Sequence, residues 1–289
     1  MSGVVGLAVV TTVAVAIRGT WSPCGASMLS TLTPFGERAR GHRYWSTTSW
    51  FVAGATAGGA CLGAISAGLW LLASWAAPGH NLTYSIIAVA GLLTVCSDLR
   101  VTGFVLPVRP RQVDENWVNR FRPWVYASGF GWQIGTGFAT YVMTSATYLM
   151  VALDVLTGQV LLALGLGVLF GAIRGLSLVT GSRQRSPEAA RQFHARFEAL
   201  RAWSWRVVVA VQLCVVALGL AAISSTPSRA AIGTLCAVAL ARWSQLHLAA
   251  HRRLDLAEVD HSPRVDQHSG AVGEELAADT NTNDGVIER

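Results

Sequence analysis

Long apolar runs separated by short polar connections set the pattern of this chain from residue 3 to residue 249. The apolar positions come as continuous blocks rather than as helical stripes. A block of about 18 or more apolar residues with few charges is long enough to cross the hydrocarbon of a bilayer as a helix. Lipid offers backbone amides no partner, so such a block must be helical or part of a closed barrel. Seven spans are predicted, at 3–33, 49–76, 82–106, 124–152, 158–180, 205–224 and 229–249. At 1.5 Å per residue the first would be about 46 Å long, too long for one straight crossing. Arg18, Gly19, Pro23 and Gly25 interrupt it, which predicts a break near Pro23. In the connection 181–204, the stretch Pro187 to Ala202 places Phe193, Phe197 and Leu200 on one helical face. It is expected to lie along the membrane surface. Beyond residue 250 the apolar pattern ends, and 251–289 reads as a disordered acidic tail. The expected architecture is an all-α polytopic membrane bundle over 1–250, followed by that tail.

Charge gives the bundle a direction. Of the 289 residues 52% are hydrophobic and 13% charged, about half the charged share of a soluble domain, which is roughly 25%. The net charge of +6 is the sum of a basic body and an acidic end, and every basic residue other than histidine is an arginine. Arginines cluster in 34–48 (Arg38, Arg40, Arg43), 107–123 (Arg109, Arg111, Arg120, Arg122) and 181–204 (Arg183, Arg185, Arg191, Arg196, Arg201). The connections between these clusters carry none. By the positive-inside rule this alternation puts the N-terminus outside and the tail in the cytoplasm of a cell membrane. The basic charge is thus a topology signal, and no nucleic-acid partner is expected. Trp21, Trp45, Trp50, Trp75, Trp117, Trp124, Trp203 and Trp205 fall near the expected interfaces, where amphipathic rings settle. Arg, Ala and Gly usage reads as that of a GC-rich, bacterial genome.

A faint repeat runs through the spans. Gly19, Gly25 and Ser30 of the first overlay Gly129, Gly135 and Thr140 of the fourth, and Leu62–Ile65 resembles Phe170–Ile173. Copies three spans apart are inverted in the membrane, and inverted repeats with Gly/Pro-interrupted first helices mark transporters. The expected plan is therefore a 3+3 inverted repeat plus one C-terminal helix.

Candidate chemistry gathers in Trp21-Ser22-Pro23-Cys24-Gly25-Ala26-Ser27-Met28-Leu29-Ser30. Proline frees a backbone carbonyl, and small hydroxyl residues can line a polar path. In span 4, Gln133, Thr136, Thr140, Thr144 and Thr147 recur at helical spacing, joined by Tyr141 and Tyr148. Arg18 and Arg174 sit inside or near the edges of spans, where a charge is costly and is a functional hypothesis by default. The expected substrate path comprises Arg18, Ser22, Pro23, Gly25, Ser27, Ser30, Gln133, Gly135, Thr136, Thr140 and Arg174, carrying a small solute or ion. Asp98 and Asp154 are expected at interfaces. His247, His251 and Asp255 follow an i, i+4, i+8 spacing but lack a further ligand, so no metal and no cofactor is expected. No phosphate-binding loop, dinucleotide fingerprint, GxSxG or CxxCH occurs, which argues against a nucleotide-driven pump or a conventional hydrolase.

Ser22-Pro23-Cys24 on an interrupted first span resembles the CcdA family and the DsbD central domain, within the wider superfamily of LysE-type exporters. The resemblance implies thiol–disulfide exchange through Cys24, with electrons supplied by a cytoplasmic thioredoxin-like protein. That reaction needs a second cysteine, one per repeat. The repeat-matched position holds Ile134, leaving Cys61 or Cys96 as substitute partners. The cysteines Cys24, Cys61, Cys96, Cys214 and Cys236 otherwise read as small apolar packing residues. Three functions follow: a carrier of CcdA/LysE-like build as the leading one, a Cys24 electron relay, and a membrane scaffold or assembly factor without transport.

Overall fold

Helix is the regular structure throughout a computed structural model that describes residues 2–239 apart from 77–78, 102–104, 108–112, 115 and 139–141, together with 241, 242 and 245. Met1–Trp243 forms one unit, and in the second, Ser244–Arg289, only Gln245 is described. Four described helical stretches are long and apolar enough to cross a membrane alone: Tyr44–Ala73, His80–Asp98, Val160–Arg183 and Pro187–Ala222. A bent pair at the start of the chain makes a fifth. Among the described residues these are four or five candidate spans, against the seven expected.

The bent pair is α1 (Ser2–Gly19) and α2 (Pro23–Thr31), which meet at 58°. Proline has no N–H to donate, and its ring clashes with the carbonyl four residues back, so position 23 favours a kink or a break in a helix. Ser22 then caps α2: its side chain accepts from Gly25 N, with Pro23 in the first turn, the usual start signal of a helix. After the short α3 (Pro34–Ala39), α4 (Tyr44–Ala73) runs 30 residues. The span expected at 82–106 is α5 (His80–Asp98) and stops earlier, with Arg100 at φ +53° just beyond. The span expected at 124–152 is not one helix. After the single turn α6 (Trp117–Arg120) it forms α7 (Pro123–Gly135) and α8 (Ala146–Leu156), and the described residues between them, 136–138 and 142–145, are not helical. Next, α9 (Val160–Leu176) continues into a 3₁₀ segment, Ser177–Arg183. The supposed surface helix is the first part of α10 (Pro187–Ala222), a single helix of 36 residues, about 54 Å long. The final helix, α11 (226–239), lies back along α5 through Ile232 and Cys236. Residues 246–249 of its expected span lie outside the described residues.

α4 is the centre of a slab between α7 and α9. A β-carbon on Gly54 would sit 2.1 Å from Ser128 O of α7, and one on Gly59 2.2 Å from Gly167 O of α9. From the other side, β-carbons on Gly135 and Gly171 would lie 2.0 and 2.1 Å from Ala55 O. Glycines four apart let helix backbones touch, and this contact replaces the hydrophobic drive that lipid does not supply. On the other side of the molecule α5 pairs with α10, and α1 and α8 lie between the slab and that pair.

The arginine-bearing connections meet at one end of the bundle. Tyr44 Oη donates to Leu178 O at 2.9 Å, Trp21 Nε1 to Phe197 O at 2.7 Å, and Val113 and Val118 share a core cluster with Cys24, Tyr126 and Phe197. At the other end His80 Nε2 lies 3.2 Å from Ala222 O, and Ser224 donates through N and Oγ to Asn81 Oδ1.

Candidate functional site

The turn between α1 and α2 gathers several of the anticipated residues. Thr20, Trp21 and Ser22 donate their N–H groups three residues back, to Ile17, Arg18 and Gly19, at 3.0–3.1 Å. Gly25 folds close against this turn, and a β-carbon there would meet Thr20 O at 2.4 Å. Arg174 reaches in from α9. Its Nη2 donates to Gly19 O at 3.2 Å and Ser22 Oγ at 3.3 Å, and its guanidinium lies 5.6 Å from the centre of the Phe170 ring. Arg174 is thus buried rather than snorkelling. Arg18 is buried as well, with Nη1 on Arg201 O at 3.0 Å and Ser204 Oγ at 2.8 Å of α10. Pro23 and Ser27 are half-buried on α2. Ser30 is exposed, bonded to Ala26 O and 3.4 Å from His194 Nε2.

The second interruption is built on Asp98. Its carboxylate accepts from Thr144 Oγ1, from Ser145 N at 2.7 Å and from Gln212 Nε2 at 3.0 Å. Ser145 Oγ also donates to Ser97 Oγ at 2.7 Å. Gln133 and Thr136 bond to each other at the end of α7, and Gly135 is spent on contact with α4. The described residues of the polar stripe expected along span 4 do not share one helix: Gln133 lies on α7, Thr147 and Tyr148 on α8, and Thr136 and Thr144 between them. Thr140 and Tyr141 lie outside the described residues. So do His247, His251 and Asp255.

A third cluster went unanticipated. Glu37, completely buried, is the hub of the connection between α2 and α4. Its carboxylate takes Arg40 Nη2 at 2.8 Å, Thr47 Oγ1 at 2.7 Å and Tyr126 Oη at 3.0 Å, with His42 Nδ1 at 3.7 Å. The signal was available, because Glu37 is the sole acid before Asp98. Asp154, expected at an interface, is instead buried on α8, and neither carboxylate oxygen has a hydrogen-bond partner among the described residues.

A pocket of about 130 Å³ opens beside Asp98, Thr144 and Ser145, and the first turn encloses less. Thr20, Gly25, Met28, Phe51, Ile134 and Arg174 surround a void of about 10 Å³, roughly the room one water needs. Cys24 packs in the same apolar cluster as Met28, Tyr126, Phe130 and Ile134. Cys61 is exposed on α4, Cys96 is buried on α5, and no disulfide joins any of the five cysteines.

The chain is similar to curated proteins named methylamine utilization protein MauF. It is 31% identical over 171 residues to that of Paracoccus denitrificans (59% of this chain, 61% of the relative). Against that of Paracoccus versutus it is 34% identical over 165 residues (55% and 59%). Against that of Methylophilus methylotrophus it is 30% identical over 202 residues (67% and 68%). The chain thus spans about three fifths of the length of the two Paracoccus relatives. No family model and no solved structure matches. These relatives overturn the resemblance to CcdA, DsbD and LysE-type proteins, the resemblance on which the Cys24 relay and its thioredoxin-like donor rested. The Ser-Pro-Cys segment has a local explanation instead, with serine as helix cap, proline in the first turn and cysteine packed in the core. The chain belongs to the MauF family of methylamine utilization proteins.

Proposed function

We propose that this chain is a membrane-embedded accessory protein of methylamine utilization that acts by holding protein partners rather than by moving a solute. The kinship with MauF proteins carries the reading. Packing supports it: where the first and fourth spans were expected to frame a solute path, the void between the first turn and Ile134 of α7 is about 10 Å³ and the pocket beside Asp98 about 130 Å³, both below the roughly 300–1,000 Å³ of small-molecule sites. The working surface on this reading is the arginine-rich end. Glu37 and Tyr44 tie its connections to α7 and to the 3₁₀ segment after α9. That end faces the cytoplasm and the N-terminus lies outside, as the positive-inside rule requires.

Deleting the gene should abolish growth of the source organism on methylamine while growth on a nitrogen- and carbon-replete medium continues. Undiminished growth on methylamine would remove the pathway assignment. The purified chain in proteoliposomes should take up labelled methylammonium no faster than empty vesicles, and saturable uptake would put a carrier in place of the accessory role. For orientation, Arg185→Cys should react with an impermeant thiol reagent only after cells are opened.

A further inference from the structure

At the arginine-rich end, a groove of about 670 Å³ runs between the end of α1, the α9–3₁₀ junction and the first turns of α10. One wall is an aromatic ladder. Trp21 stacks on Phe197 with ring centres 4.7 Å apart, Phe197 stacks on Phe193 at 5.8 Å, and the Trp21 indole N–H is fixed on Phe197 O. The rim is apolar and uncovered, with Ile17, Leu176 and Leu200 each 43–53% exposed.

Arg183 and Arg196 also line the groove, and both are exposed. Neither has an acidic partner among the described residues, whereas their neighbours on α10 do: Arg191 pairs with Glu188 at 3.0 Å and Arg201 with Glu198 at 3.3 Å. Two uncompensated guanidinium groups thus stand beside an apolar channel where apolar helices give way to polar chain. Guanidinium groups match phosphate geometry, and basic pockets between membrane helices at an interface recruit anionic head groups. We propose that the groove binds one anionic phospholipid, with an acyl chain along the Trp21–Phe197–Phe193 wall and the phosphate toward Arg183 and Arg196. The inference does not depend on the accessory role.

The full chain, reconstituted with phosphatidylcholine and phosphatidylglycerol and washed in mild detergent, is read by native mass spectrometry. About one phosphatidylglycerol should remain per chain. The Arg183→Gln/Arg196→Gln variant should lower its retention about tenfold, while Arg185→Gln/Arg191→Gln, with the same charge change off the groove, should leave it. Equal losses from both variants would reduce the effect to general attraction by a basic end and overturn the site. So would equal retention of phosphatidylcholine. Matching melting midpoints in phosphatidylcholine alone show that both variants fold. A photo-crosslinking residue at Leu200 should label lipid in cells, and a protein adduct there instead would overturn the proposal.

Discussion

Between α1 and α2 the chain turns within Thr20–Ser22, whereas between α7 and α8 it takes ten residues, 136–145. The short turn satisfies its backbone locally, through three-residue hydrogen bonds and the Ser22 cap, and receives one remote group, Arg174. At the far end of the long interruption Thr144 Oγ1 accepts from Ala146 N at 3.2 Å. The serine before α8 makes no side-chain capping bond, and no proline lies between Pro123 and Pro187. Its far end is tied instead to Asp98, 46 and 47 positions earlier, and through Asp98 to Gln212 of α10. In lipid an unsatisfied backbone group costs several kcal/mol, so non-helical chain persists at membrane depth only where protein buries it. A brief break can meet that demand from its own residues. A long one must borrow a partner, and stability is then concentrated in the partner.

The sharpest way to break the comparison is Asp98→Ala. It leaves the Thr144 hydroxyl, the Ser145 N–H and the Gln212 amide without their acceptor. Unmet buried donors cost about 1–3 kcal/mol each, partly relieved because Asp98 is only half-buried. A loss of about 3 kcal/mol is expected in an unfolding titration from mild detergent into dodecyl sulfate. If Asp98→Ala is tolerated as well as a change on the lipid-facing side, the second interruption holds itself.

Arg174→Met comes next. It removes two hydrogen bonds to the first turn but leaves the turn's own bonds and cap in place. With one partner a carbonyl and the other the Ser22 hydroxyl, a cost of about 2 kcal/mol is expected. Hydrogen exchange should rise at 20–26 and stay unchanged at 142–150. Faster exchange at both would mean that the two interruptions are one cooperative unit.

The first break was legible because its cause is local. Ser22-Pro23 is a helix start in any solvent, and the 58° bend follows from it. The second was misread because apolar content at 124–152 cannot distinguish one long helix from two short ones, and Asp98 acts across a distance that a pattern of neighbours does not record. The α10 helix was cut short for the opposite reason. Charge at 187–202 signals exposure to water, yet Phe197 packs in the core with Cys24 and Tyr126, so the helix continues through the change of environment. The packed glycines of α4 stand in the sequence at 54, 58, 59 and 63. Their pairing with Gly131–Gly135 and Gly167–Gly171, four residues apart, carries the packing order of the slab in its spacing.

Pro23→Ala should have the smallest effect, although proline is what marked the break. The N–H it would restore lies in the first turn of α2, where a helix has no internal acceptor, so few new bonds are gained. Freeing the unfolded chain costs about 0.4–1 kcal/mol. Ser22 would still cap, Gly25 would still lie against Thr20 O, and Arg174 would still hold Gly19 and Ser22. Melting should therefore shift by less than about 1 kcal/mol. The distance between spin labels at Val9 and Ser30, both exposed, should be unchanged. A longer distance would mean that α1 and α2 had straightened into one helix. Proline alone would then set the first break, and the capped turn and Arg174 would merely occupy a bend already made.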